Sequence, residues 1–308
     1  MTLQQLEYVM AVYRFKHFAR AAEYCKVTQP TLSSMIQKLE EELGVKIFER
    51  SSQPIRPTAV GQQIIAQGWR VIRRADKIRD IVAEEKSELC GTFTIGILPT
   101  IAPYLIPRFF PQLMNRNPSL DIRVVEMKTE EIKRALAEGS IDAGILAHYE
   151  NMDKFNVDHL FFEQFFVYVS QQEPLFEKER IKTTDLTNGF LWLLDEGHCF
   201  REQLVKFCQM KAARRSKKAY SLGSIETFMR IVEGGKGITF IPELAVLQLS
   251  DYQRLFVRPF AIPVPVRDVV LLTTKDFIRH TWRKFIVGEI QQSVPQEMLE
   301  LKKIYRQI

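Results

Sequence analysis

Cysteine is scarce in this chain: Cys25, Cys90, Cys199 and Cys208 are the only four in 308 residues, too few and too scattered for the disulfide framework of a small secreted domain. No Cys-x-x-Cys pair and no His/Cys cluster has zinc-site spacing, so neither a metal nor another cofactor is expected. Long apolar runs are missing too. No stretch approaches the ~18 uninterrupted apolar residues of a membrane span. Met1 leads into Thr-Leu-Gln-Gln-Leu-Glu instead of a basic start and an apolar run, so a cytoplasmic protein without membrane association is expected. No Gly-x-Gly-x-x-Gly follows a strand signal; Gly235 and Gly237 read as a tight turn. Repeats and low-complexity segments are absent. What remains is ordinary globular material, 46% hydrophobic and 26% charged, with a net charge of +6 that permits a polyanionic partner without requiring one.

The first 57 residues hold one glycine, Gly44, and read as short helices. Leu3, Leu6, Val9, Met10 and Tyr13 form one apolar stripe, and Phe18, Ala21, Ala22 and Cys25 a second. A third runs through Leu32, Met35, Ile36, Leu39 and Leu43, with Thr28 as N-cap, Pro30 in the first turn and Gly44 as the stop. Only Lys26-Val27-Thr28 separates the second stripe from the third, a break that suits a helix-turn-helix. Val45–Arg50 followed by residues 51–58 reads as a two-stranded ribbon, a wing. Eight Lys/Arg against six Glu in residues 1–57 leave a net charge of only +2, so the function of this segment has to come from their arrangement. From Thr58 to about Ser87 no proline occurs, and Val60, Ile64, Val71, Ala75, Ile78 and Val82 recur at helical steps. One long helix with a single apolar stripe is predicted, suited to pairing with a second copy.

Beyond Leu89-Cys90-Gly91 the texture is α/β. Strands are predicted at 92–98, 121–127, 142–146, 165–170, 190–194, 237–241 and 269–273. Helices are predicted at 104–115, 129–138, through the Cys199–Cys208 segment, and at 224–234 and 277–292.

Cys199 and Cys208 stand nine positions apart in that helical segment. Nine residues of helix rise roughly 13 to 14 Å and turn two side chains to opposite faces, whereas a disulfide needs Cα atoms within about 7 Å. Two small residues packed in a core are the ordinary reading of such a pair. If the thiols do join, the helix has to unwind. Cys25 and Cys90 read as packing residues.

Winged helix-turn-helix, long helix and bipartite α/β region together resemble a LysR-type transcriptional regulator. The residues that carry the likeness are Leu6, Phe18, Ala21-Ala22, Val27-Thr28-Gln29-Pro30-Thr31-Leu32-Ser33, Ile36, Leu39-Glu40, Leu43-Gly44, Phe48-Glu49-Arg50, Thr58 and Gly61, and far downstream Gly235–Pro242. The resemblance covers the whole chain. It implies a winged helix-turn-helix DNA-binding domain (1–57), a linker and dimerisation helix with hinge (58–90), and a regulatory domain (91–308) of the two-subdomain periplasmic-binding-protein-like kind. Its subdomain I would take about 91–162 and 267–308, and subdomain II about 163–266. Within the family, Gly197-His198-Cys199, Arg201, Gln203 and Phe207-Cys208 look like the redox element of members that sense hydrogen peroxide. That likeness implies a non-enzymatic activator of oxidative-stress genes, a homotetramer built as a dimer of dimers, acting on double-stranded promoter DNA and RNA polymerase.

By the same likeness Cys199 is the peroxidatic thiol and Cys208 the resolving one, with Thr100, Thr129, His198 and Arg267 around the peroxide. Peroxide attack needs a thiolate, which His198, Arg201 and a helix N-terminus would favour. Arg267 would stabilise the leaving hydroxide. Gln29, Pro30, Thr31, Ser33, Ser34, Gln37 and Lys38 line the side of the third helix that would enter the major groove, and Lys38, Arg50 and Arg56 would meet phosphates. Two rival readings are a family member that binds a small metabolite between its subdomains, the cysteines being incidental, and a thiol peroxidase with an accessory DNA-binding region.

Overall fold

The computed structural model describes every residue except 51, 87, 150–151, 188–189, 195–198 and 209–223, together with the side chains of Arg73, Arg79, Thr187 and Cys199. His198 and the thiol of Cys199 thus lie outside the described residues. The chain divides into two compact units, Met1–Glu88 with Ala137–Ser140, and Leu89–Leu136 with Ile141–Ile308.

In the first unit, α1 (Leu3–Phe15) opens on a capping box between Thr2 and Gln5, and α2 (Phe18–Tyr24) follows after two residues. Helix α3 (Gln29–Leu43) has the expected signals: Thr28 Oγ1 accepts from the Thr31 N–H, and Gly44 ends the helix at φ 69°, a left-handed conformation that glycine adopts without strain. Leu6, Val9, Ala21, Ala22, Leu32, Ile36 and Leu39 close over one core. The wing is a minimal ribbon of β1 (Phe48–Glu49) and antiparallel β2 (Arg56–Pro57). Thr58 caps α4 (Ala59–Glu85). A side chain on Gly61 would have its Cβ 2.1 Å from the Ile47 carbonyl oxygen, so only glycine lets α4 start against the wing. Ile64, Ile65, Trp69 and Ile72 join the core, whereas Val71, Ile78, Ile81 and Val82 are exposed.

The second unit is built on one eight-stranded mixed sheet. Strands β3 (Thr92–Ile97), β4 (Asp121–Glu126) and β5 (Ala143–Ala147) are parallel, linked by α5 (Ala102–Arg116) and α6 (Thr129–Glu138). Then come the long β6 (Phe155–Val169), α7 (Cys199–Phe207), α8 (Ile225–Gly234), β7 (Ile238–Pro242), α9 (Glu243–Val246), α10 (Asp251–Arg254), β8 (Val257–Pro259), β9 (Val264–Thr274), α11 (His280–Ser293) and β10 (Tyr305–Gln307). The main strand order is β4-β3-β5-β9-β6-β7, with β10 beside β9 and β8 beside β6.

Four expectations need correction. The strand placed at 165–170 is the end of β6, which starts ten residues earlier. A bulge between His159 and Phe161 buries Leu160 and Phe161 in succession and breaks the alternation that marks a strand. Residues 190–194 form no strand but a single bridge, Leu191 to Ile238. There Ile238 donates to the Phe190 carbonyl and Trp192 donates to the Ile238 carbonyl, and no second rung follows. Strand β9 begins five residues before 269, its polar Arg267 and Asp268 and its Pro265 having hidden it. Cys90 is exposed, not packed.

Candidate functional site

Strands β3, β4 and β5 run parallel, so their C-terminal ends form one edge, the usual place for a site in such a sheet. Thr100 follows β3, Thr129 begins α6 just beyond β4, and the Met127 N–H donates to the Ile97 carbonyl to join the two strand ends. Arg267 reaches this edge from β9, where it pairs across the ladder with Glu163 of β6.

Arg267 is 0% exposed, and a guanidinium out of water has to be matched donor by donor. Glu163 Oε2 accepts from Nε at 2.8 Å and lies 2.7 Å from Nη2. Nη2 also donates to the Thr100 carbonyl at 3.1 Å, and Nη1 to Thr100 Oγ1 at 3.2 Å. Glu163 is equally buried, and its second oxygen accepts the Leu244 N–H at 3.0 Å, at the start of α9. Four of the five guanidinium N–H groups are thus placed, and one on Nη1 has no partner among the described residues. Thr129 Oγ1 is likewise buried without a partner among them. Two donors near one edge of the sheet are thus left without partners among the described residues.

Helix α7 meets the same edge. The guanidinium carbon of Arg267 lies 5.5 Å from the Phe200 ring and 5.7 Å from that of Phe165. Those two rings are edge to face at 5.1 Å. Residue 199 is therefore the first of a helix whose opening turn is seated beside Arg267. At the far end Cys208 carries a free, buried thiol whose pKa burial pushes up to about 12. The helix between them is intact. Gln203, midway along it, donates from Nε2 to the carbonyls of Ile308 (2.6 Å) and His148 (3.4 Å).

In the first unit, Gln29, Pro30, Thr31, Ser34, Gln37 and Lys38 are exposed on one side of α3 and Ser33 is half-buried, while Leu32, Ile36 and Leu39 face the core. Arg56 is exposed on the wing. Arg50 has protein partners: it donates to Ser33 Oγ at 3.1 Å and to Glu40 at 3.4 Å, and lies over the Phe18 ring.

The roles of two buried carboxylates escaped sequence reasoning. Glu40 accepts the N–H groups of Ile47 and Phe48 and so ties the wing to α3; it looks like one more glutamate in the Glu40-Glu41-Glu42 run. Glu163 lay in the unrecognised half of β6. Its signal would have been the cross-strand pairing with Arg267, which requires the register of both strands.

The comparisons agree with this architecture. Residues 3–62 match the bacterial regulatory helix-turn-helix protein, lysR family, and residues 86–286 match the LysR substrate binding domain. The hydrogen peroxide-inducible genes activator of Haemophilus influenzae is 33% identical over 272 residues, 88% of this chain and 90% of that protein. A full-length OxyR variant from Pseudomonas aeruginosa superposes with a TM-score of 0.78 at 35% identity, covering 96% of this chain and 99% of that one. OxyR of Porphyromonas gingivalis is 47% identical with a TM-score of 0.66, over 71% of this chain and 99% of that one. The winged helix-turn-helix and the periplasmic-binding-protein-like α/β region are thus those of a known class, and the chain belongs to the LysR family of bacterial regulatory proteins.

Proposed function

We propose that this protein is a DNA-binding activator that senses hydrogen peroxide through Cys199 and Cys208. The observation that carries the reading is the seating of the α7 opening turn, through Phe200, against the Arg267–Thr100 pair. The printed names of its relatives, hydrogen peroxide-inducible genes activator and OxyR, support it. A thiolate on residue 199 gains from the positive end of α7. Its sulfur attacks one peroxide oxygen; the S–O bond forms, the O–O bond breaks, and hydroxide departs to take up a proton as water. Thr129, Thr100 and His198 contact the peroxide, and the spare Arg267 N–H meets the developing hydroxide.

The second step has a conformational requirement. Cys208 is buried, protonated and a helix length away, so it cannot attack the sulfenic acid while α7 stands. Opening α7 returns the Cys208 thiol to water and lets it form the disulfide with loss of a second water. Two thiols and one peroxide give one disulfide and two waters. The refolded segment repacks the regulatory domain (91–308), and the change reaches the winged helix-turn-helix (1–57) through the linker helix (58–90). There Gln29, Thr31, Ser33, Ser34 and Gln37 of α3 read base edges and Lys38 and Arg56 meet phosphates, with Arg50 bracing the wing. Exposed Ile78, Ile81 and Val82 pair α4 helices in a homotetramer that recruits RNA polymerase.

Thiol mapping by mass spectrometry after one equivalent of peroxide tests the reading. A Cys199–Cys208 link with Cys25 and Cys90 still free is expected, and loss of peroxide-dependent transcription in Cys199→Ser. Unchanged transcription in that variant would return the cysteines to an incidental role in a metabolite-binding regulator.

A further inference from the structure

We infer that Glu163 is the positioning residue of the peroxide reaction, acting on Arg267 and through it on Thr100; the inference rests on the redox reading above. A guanidinium presents two edges to its surroundings. Glu163 Oε2 occupies the Nε/Nη2 edge of Arg267 with contacts of 2.8 and 2.7 Å. This leaves the Nη1 group turned to Thr100, whose Oγ1 accepts at 3.2 Å. Because that hydroxyl oxygen is already an acceptor, its own hydrogen is left to donate. One carboxylate thereby fixes two donors, the remaining Nη1–H and the Thr100 O–H.

Glu163 is itself held on both sides. Its β6 backbone is locked opposite Arg267 in the ladder, and its Oε1 takes the Leu244 N–H at the start of α9. The side chain therefore has little freedom to follow a moving guanidinium; it imposes the position. It also supplies the counter-charge that a fully buried arginine needs, and those two roles are separable. Aspartate keeps the charge but is shorter by one methylene, so it cannot hold Oε2 on the guanidinium edge and Oε1 on Leu244 together. Glutamine keeps the shape, but with its oxygen on the Leu244 N–H its amide N–H groups face those of Arg267, so it loses the charge and the guanidinium acceptor together.

The test compares two rates at residue 199 in the full-length protein: Cys199–Cys208 disulfide formation by hydrogen peroxide, and alkylation by iodoacetamide, which needs the thiolate but no stabilised hydroxide. In Glu163→Asp the peroxide rate is expected to fall about 10- to 100-fold, the scale of a misplacement near 1 Å, while alkylation stays within about threefold of wild type. A folded Glu163→Asp protein that keeps its wild-type peroxide rate overturns the inference. So does an equal fall in both rates, which is the signature of a merely structural carboxylate. Should Glu163→Asp not fold, Glu163→Gln carries the same comparison: its peroxide rate is expected to fall with alkylation preserved, and a wild-type peroxide rate there, or an equal fall in both rates, overturns the inference too. Failure of the redox reading is distinct, since wild-type protein would then form no disulfide at all.

Discussion

Cys208 shows how one residue's surroundings set the reactivity of its thiol. With its pKa raised to about 12 by burial, the native thiol is a thiolate roughly a thousandfold less often than a solvated thiol at pH 8. Iodoacetamide should therefore alkylate Cys208 about a thousandfold more slowly in native protein than in urea, from ionisation alone; comparable rates would mean that α7 is already open. The pH dependence has a definite sign. The folded pKa lies above the unfolded one, so the native state's contribution is whole below about pH 9 and is lost between about 9 and 12, where the opened segment gives up its proton first. Opening of α7, followed by hydrogen exchange or by protease sensitivity at 200–208, should become easier across that window. Cys208→Ser should abolish the trend.

At the scale of elements, α7 is tied to β10 and its neighbours. Strand β10 pairs in parallel with the start of β9, Ile308 accepts from Gln203 at 2.6 Å, and the Arg306 guanidinium lies 5.9 Å from the Phe207 ring. Each tie contributes about 0.5 to 1 kcal/mol. Arg306→Ala should speed amide exchange in the second half of α7 about two- to fivefold in unoxidised protein, and with Gln203→Leu added, about tenfold. Disulfide formation should accelerate in parallel if opening limits it. No change in exchange would show that β10 is no restraint. Neither β10 nor this latch was legible beforehand: a three-residue strand has no periodicity, and Gln203 gives no sign in sequence that its carbonyl partners are Ile308 and His148.

Across the whole molecule, legibility followed the range of the interaction that makes each part. Thr28, Pro30 and Gly44 mark α3 locally, and Thr58 with Gly61 marks the start of α4, so the winged unit could be read from caps and stripes. The site was read from motif, and the structure brings together Thr100 and Arg267, 167 positions apart. Glu40 and Glu163 stayed hidden because their partners are fixed only by tertiary register. The α4 stripe was read as a pairing surface, and the structure leaves Ile78, Ile81 and Val82 at 69%, 56% and 55% exposed. Spaced at i, i+3 and i+4, they form a strip one helix turn long with no cover from their own unit, and burying such side chains contributes about 1.5 to 3 kcal/mol each. A glutamate in the strip would have to be desolvated on pairing. Ile78→Glu should therefore dissociate the α4 pair, with the sedimentation mass falling from that of four chains toward that of two, each of 35.9 kDa. Affinity for a two-half-site operator should drop about 100-fold or more while a single half-site is bound as before, because two tethered heads bind with an effective concentration that one head lacks. An unaltered sedimentation mass in Ile78→Glu would place the pairing surface elsewhere on the chain.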